Sequence, residues 1–211
     1  IVVIAWVWLI NLYNFMDGID ALAACEAIFI ALALAWITAA AELESLALLA
    51  LLLAVVVSGF LYFNLPAAKV FMGDCGSNFL GFILGGLGLL GVWQEAMTLW
   101  TFLILIGVFA VDSTLTLLKR MAAGLVWYHG HRSHAYQMAS RRHNSHHKIV
   151  VAVGLINVFW LLPLAWLSVA KVDSGLWLTM VAWLPLLCLA HKYQSLDTGN
   201  NWSPASGAKP G

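Results

Sequence analysis

Charge is what this sequence lacks most. Only 9% of its 211 residues are Asp, Glu, Lys or Arg, where a soluble domain carries about 25%. With 63% hydrophobic residues and a mean hydropathy of +0.90, the deficit excludes an ordinary water-soluble domain and points to an integral membrane protein. The few charges cancel to a net of zero, so there is no basic surface to suggest a nucleic-acid partner. Cysteine is scarce too: Cys25, Cys75 and Cys188 have neither disulfide-framework nor zinc spacing. Internal repeats are missing, which removes the symmetry argument for an inverted-repeat transporter. The chain has no adjacent Asp-Asp pair. No signal peptide or Met precedes the first apolar run, which opens at Ile1. The expectation is therefore the C-terminal part of something longer.

What is present is a series of long apolar runs. A helix needs about 20 apolar residues to cross a bilayer. A partial run at Ile1–Tyr13 is followed by Ala21–Ala40, Leu46–Phe63, Phe79–Trp93, Ala96–Leu118, Ile149–Ala170 and Leu176–Tyr193. The expected fold class is all-α, a polytopic transmembrane helical bundle of about seven spans. Residues 1–195 form the membrane-embedded domain, and the polar, Gly-, Ser- and Pro-rich residues 196–211 form a disordered tail. If the chain exits on the cytoplasmic side after Tyr13, then Lys69, Lys119, Arg120, Arg132, Arg141, Arg142, Lys148, Lys192 and Lys209 all lie on that side, with Lys171 opposite. The three longer connections, after Tyr13, Phe63 and Leu118, then share that face and hold nearly every unusual polar residue. A site is expected there.

Three stretches carry chemistry. In "NLYNFMDGIDALA", Asp17 and Asp20 lie three residues apart around Gly18, and on a helical turn both carboxylates face one way. Like charges that close require a cation or a proton between them. The bland alternative is interfacial capping, with Asp20 accepting from the first-turn amides of the next helix. In "NLPAAKVFMGDCGSNFLG", Pro66 stops one helix, and Gly73 and Gly76 permit a tight backbone around Asp74. Ser77 and Asn78 open the next span, so its free amides point at this loop. An aspartate there suits Mg²⁺ when phosphates share the site, whereas a plain turn leaves Lys69 unexplained.

The third stretch, Trp127 to Lys148, holds six of the seven histidines. It contains no Cys or acid to complete a closed zinc site. Arg141, Arg142 and His143 to His147 read as a juxtamembrane contact to anionic headgroups. His131, Arg132 and His134 read as a phosphate-contacting cluster, since Arg offers a planar fork and His a proton near neutrality. Asp112 and Glu26 are acids inside spans, which ordinarily face the bundle interior. Asp112 is either a site-lining residue or the partner of Arg120 or another base. The glycines from Gly81 to Gly91 read as close helix packing.

Taken in order, "NFMDGIDALA", "NLPAAKVFMGDCGSNFLG" and "HRSHAYQ" resemble the polyprenyl-phosphate N-acetylhexosamine-1-phosphate transferases, glycosyltransferase family 4. The resemblance runs from Asn11 to about Gln137. It implies transfer of a HexNAc-1-phosphate from a UDP-sugar to undecaprenyl or another polyprenyl phosphate, with release of UMP. It implies Mg²⁺, with Mn²⁺ as the alternative. The implied partners are UDP-N-acetylhexosamine, polyprenyl phosphate and the lipid bilayer, with a homodimer left open. The implied location is the bacterial inner membrane, with the active site on the cytoplasmic face. Asp17, Asp20, Asp74, His131 and His134 would be catalytic, and Asp74, with Asp17, would hold the metal. Gly18, Ile19 and Asp20 would lie near the uracil, with Phe71 stacked on it and Asn64 hydrogen-bonded in the same pocket. Asn14 would support the Asp17 loop, while Lys69, Arg132 and Asp112 would line the substrate site.

The form "HRSHAYQ" resembles the O-antigen and common-antigen branch more than the lipid I enzymes, whose histidines adjoin. A GlcNAc-type or 6-deoxy-HexNAc donor is therefore expected over a peptide-bearing MurNAc donor, which remains the alternative. The family's adjacent aspartate pair lies in an earlier loop, so these residues alone are expected to be inactive. A transporter or structural subunit is the rival of another class. It would place its ionisable groups near the midplane rather than at one interface.

Overall fold

The structure is a computed structural model that describes residues 2–125 and 133–194. His131, Arg132 and the tail from 196 to 211 lie outside the described residues. The described residues form ten α-helices and no strand: α1 (Val2–Met16), α2 (Leu22–Ala40), α3 (Glu44–Asn64), α4 (Gly73–Trp93), α5 (Leu99–Leu105), α6 (Gly107–Ala122), α7 (Ala135–His143), α8 (His146–Ile156), α9 (Leu162–Ala170) and α10 (Gly175–Tyr193). Each apolar run becomes a helix because a backbone in hydrocarbon must satisfy its hydrogen bonds within its own segment.

Among the described residues, α2, α3, α4, the α8–α9 unit and α10 are long and apolar enough to cross a bilayer. The expected single span Ala96–Leu118 is instead α5 and α6, bent by 81° at Ile106. The bend is stabilised from outside, since Trp183 Nε1 donates to the Leu103 carbonyl at 3.1 Å. Leu186, Trp183 and Leu161 crowd the space where a Gly107 Cβ would sit. The run at Ile1–Tyr13 forms α1, at 15 residues shorter than a full span. Among the described residues this gives five candidate spans, or six with the bent pair, beside the partial run of α1. A π-helical turn, Asn157–Leu161, joins α8 to α9.

The core is built around α2, which is 61% buried over its apolar window against 28% for α3. α2 packs on α3, and α1 packs on α4. The α1–α4 contact uses the glycine stripe: a Cβ on Gly81 would lie 2.7 Å from the Ile10 Cα, so the backbones meet directly. Tyr13 and Phe109, both fully buried, pack ring to ring with centroids 5.1 Å apart. Apolar side chains on the outside, such as Leu52, Val56 and Phe159, are the solvent-side solution for a bilayer, not for water.

This alternation gathers the C-termini of α1, α3, α6 and α10 with the N-termini of α2, α4 and α8. Hydrogen bonds then link them at one end of the bundle, from Asn14 to Asp74, Ala21 to Asn64 and Gln194 to Asp112.

Candidate active site

The site grows from three short connections at that end. Between α1 and α2, residues 17–21 leave the helical path, and Ala21 takes a left-handed backbone with φ 65°. The two aspartates therefore do not share one face as a helical turn would require. Asp17 receives the Gly73 amide at the start of α4 and lies close enough to Asp74 to feel its charge. Asp20 turns the other way: its Oδ2 accepts from the Ala68 amide at 3.3 Å and sits 3.3 Å from His146 Nδ1. Nor does Asp20 cap α2, whose preceding residue Ala21 makes no side-chain cap.

The second connection closes over the first. Asn14 Nδ2 donates to Asp74 Oδ1 at 3.0 Å and to Ser77 Oγ at 3.3 Å. Ser77 Oγ in turn donates to the Gly73 carbonyl at 3.1 Å. Gly73 has φ +64°, a conformation that glycine adopts without steric cost. Asn64 is buried and engaged at both ends: its Oδ1 accepts from the Ala21 amide at 2.9 Å and its Nδ2 donates to the Val70 carbonyl at 2.8 Å. It is a strut between the two loops, with one amide N–H and one carbonyl lone pair engaged. Lys69 and Phe71 are exposed, Phe71 at 73%. Ile19 is buried and Gly18 is exposed.

The third connection supplies a clasp from α7. Asp112 accepts from the Ala135 amide at 2.9 Å on Oδ1 and from the Tyr136 amide at 3.0 Å on Oδ2. Its carboxylate thus satisfies the free donors at the N-terminus of α7, with the favourable charge sign for that end. His134 Nδ1 lies 3.5 Å from Asp112 Oδ1, and its ring stacks on Phe15 with centroids 5.9 Å apart. Asp112 faces His134 and the α7 amides, and His134 is itself 2% exposed. Tyr136 Oη donates to the Phe15 carbonyl at 2.9 Å and accepts from the Gly18 amide. A Cβ on Gly18 would run into Tyr136 Oη and come within 2.6 Å of Gln137 Nε2. Glycine is the residue that lets this clasp close.

Burial pushes the Asp17 carboxyl up to about 6; the Gly73 amide pulls it down, and the Asp74 charge raises it again. Burial, together with the charges of Asp112 and Asp17, holds the Tyr136 hydroxyl well above its ordinary range, so it remains a donor. Among the described residues no group of three or more His, Cys, Asp or Glu converges as a metal cage. The Asp17–Asp74 pair nevertheless fits Mg²⁺, which takes one or two carboxylates and fills its other positions with water and substrate phosphates.

Of the residues expected from sequence, Asn14, Asp17, Gly18 and Asp74 come together. Asp20 and Asn64 form a neighbouring cluster with His146, and Asp112 and His134 form the clasp. Sequence reading assigned no role to Tyr136, although it lies inside "HRSHAYQ". It placed His146 with the lipid-facing bases, and only the fold brings it to Asp20.

Fold and site together define a polytopic helical membrane protein with a carboxylate–amide centre at one bundle end. The family model for glycosyl transferase family 4 matches residues 1–92. A probable undecaprenyl-phosphate N-acetylglucosaminyl 1-phosphate transferase of Bacillus subtilis is 31% identical over 175 residues, covering 81% of this chain and 47% of that protein. A phospho-N-acetylmuramoyl-pentapeptide-transferase of Chlamydia muridarum is 30% identical over 174 residues, 76% of this chain and 50% of that protein. A putative UDP-N-acetylglucosamine–dolichyl-phosphate N-acetylglucosaminephosphotransferase of Sulfolobus acidocaldarius is 35% identical over 89 residues, 41% of this chain and 27% of that protein. These matches are consistent with glycosyl transferase family 4. It spans about half the length of the first of these relatives.

Proposed function

We propose that the protein containing this chain transfers a HexNAc-1-phosphate from a UDP-sugar to a polyprenyl phosphate, releasing UMP, at the cytoplasmic face of a bacterial inner membrane. The observation that carries this reading is the Asp17–Asp74 pair at the end of an apolar bundle, with the Asp74 carboxylate held by Asn14. A lipid phosphate held in a bilayer and a water-soluble nucleotide can meet only at such a level. Phosphoryl transfer is mostly positioning and charge neutralisation, and the arrangement is suited to both.

Asn14 fixes the Asp74 carboxylate, leaving its second oxygen for a ligand. Asp17, held by the Gly73 amide, presents a second carboxylate that is ionised above about pH 6. Asp17 and Asp74 would hold Mg²⁺ or Mn²⁺, which when bound neutralises the diphosphate. Asn64 holds the loop bearing Lys69 and Phe71, so that the exposed Phe71 ring can stack on the uracil. Asp112 and Tyr136 anchor α7; His131 and Arg132, which precede it in the sequence, are the phosphate contacts of this reading. His134 acts as a positioning residue, oriented by Asp112.

A GlcNAc-type donor and an O-antigen-like product are preferred, because "HRSHAYQ" separates its histidines. The Chlamydia muridarum relative keeps a peptide-bearing MurNAc donor as the second reading. The test is UMP release by the whole gene product with undecaprenyl phosphate, Mg²⁺ and a panel of UDP-HexNAc donors. Lipid-dependent release with UDP-GlcNAc or a 6-deoxy sugar supports the reading. Release only with the MurNAc-pentapeptide donor selects the second, and no release with any donor overturns both.

A further inference from the structure

A groove between α2 and α8 runs from Leu22, beside the polar end, to Trp36, and its lining includes none of the residues placed in the reaction proposed above. It encloses about 390 Å³ and is walled by Phe29, Leu32 and Trp36 on one side and by Val150, Val153 and Val158 on the other. Leu32 and Trp36 are about half exposed, so in a bilayer the groove opens to lipid tails. Between Leu22 and Trp36, which both line it, α2 rises ~21 Å. Trp36 stacks on Trp166 at 4.3 Å between centroids and closes the far end.

One level of this apolar groove is polar. Glu26 and Asn157 both line it, 1% and 2% exposed. Asn157 Nδ2 donates to Glu26 Oε2 at 2.6 Å. Glu26 Oε1 and Asn157 Oδ1 have no hydrogen-bond partner among the described residues. Two unpaired polar atoms in a hydrocarbon setting demand a partner, and a hydroxyl, which both donates and accepts, suits them. Asn157 also begins the π-helical turn, a distortion frequent at functional sites. One turn earlier, a Cβ on Gly154 would meet nothing within 4 Å, so the groove is open beside the polar level.

We propose that this groove is a binding site, entered from the bilayer, for a single-chain lipid alcohol. Its hydrocarbon lies along the apolar walls and its hydroxyl donates to the Glu26–Asn157 pair. Among the described residues no Lys, Arg or His lines the groove, so they offer an anionic headgroup no counter-charge there. A cationic headgroup would have to carry its charge through hydrocarbon. An uncharged hydroxyl meets both conditions. Asp20 precedes α2, whereas Glu26 lies inside it, ~6 Å along the helix axis from its first residue Leu22, and the Asp20 carboxylate turns instead to Ala68 and His146.

The test uses the chain in lipid nanodiscs with a diazirine-bearing long-chain alcohol, photolysed and mapped by peptide mass spectrometry. The expected adducts fall on 22–36 and 150–158. They should be displaced by excess unlabelled alcohol at a concentration about tenfold lower than by the alkane of equal length, the factor one buried hydrogen bond supplies. Gly154→Leu, whose Cβ meets nothing within 4 Å, puts its side chain into the open space and should abolish the adducts. Replacing Glu26 and Asn157 together by Leu avoids stranding one partner and should erase the preference for alcohol over alkane. Equal displacement by alcohol and alkane in the native chain overturns the proposal. So do adducts spread evenly over the lipid-facing surface, or adducts unchanged in Gly154→Leu. If the double variant does not fold, Gly154→Leu and the alcohol–alkane comparison still decide.

Discussion

Asn14 Nδ2 lies 3.0 Å from Asp74 Oδ1, a hydrogen bond across 60 positions of sequence. It joins the last turn of α1 to the first turn of α4 and fixes the carboxylate on which the metal reading depends. Asn14→Ala removes that donor, and because Asp74 is exposed, the loss of stability is small, about 1 kcal/mol or less. Activity of the whole protein should fall about 10- to 100-fold, as for other residues that orient metal ligands. Asn14→Asp should do worse, by adding a third carboxylate. Steady-state kinetics beside a thermal melt separate the two effects.

The Asp17 carboxyl is raised to about 6 from its ordinary 3.8, so the native state binds its proton more tightly than the unfolded chain does. Without metal, stability should therefore fall as pH rises from about 4 to about 6 and be flat above. Asp17→Asn should remove that slope, which melts of the metal-free protein across this range would read. Metal binding runs in the opposite sense, since it requires the ionised form. Mg²⁺-dependent activity should drop below about pH 6, with the limb moved or lost in Asp17→Asn.

Tyr136 closes the clasp on the Asp17 loop. Tyr136→Phe deletes the bond to the Phe15 carbonyl and should cost about 1 kcal/mol. Gly18→Ala forces a methyl group into Tyr136 Oη and Gln137 and should lower activity more than Tyr136→Phe does. Hydrogen exchange at residues 17–20 should rise in both variants.

Asp112 leaves two amides of α7 unpaired if removed. Asp112→Ala should cost about 2–4 kcal/mol, while Asp112→Asn keeps acceptor shape and should cost less. Proteolysis between α6 and α7 at neutral pH should report the loosening, fastest in the alanine variant.

The glycine stripe gives a contrast within one bundle. Gly81→Ala puts a methyl 2.7 Å from backbone of α1 and should destabilise by about 1–3 kcal/mol. Gly59→Ala meets nothing within 4 Å and should stabilise by roughly 0.5–1 kcal/mol. Thermal melts in detergent would rank the pair.

The helical architecture was legible because hydrocarbon leaves the backbone few choices, and the convergence of three loops followed from alternation alone. What the sequence hid were directions. Asp17 and Asp20 diverge because the turn between α1 and α2 leaves the helical path, and no periodicity reports a left-handed residue such as Ala21. The bend at Ile106 depends on Trp183, distant in sequence, so Ala96–Leu118 read as one span. Asn64 and Asp112 were legible as polar residues out of place, but whether such a residue faces a ligand or a backbone amide is decided by neighbours from other helices.

The most direct test of the Asp17–Asp74 pair as the metal and diphosphate site is calorimetric titration of UDP-GlcNAc into the whole gene product. It would be run with and without Mg²⁺, for the native protein and Asp74→Asn. The expected result is Mg²⁺-dependent binding that weakens about tenfold or more in Asp74→Asn, with the melting temperature little changed. Binding of equal strength without Mg²⁺, or undiminished in a folded Asp74→Asn protein, would contradict it.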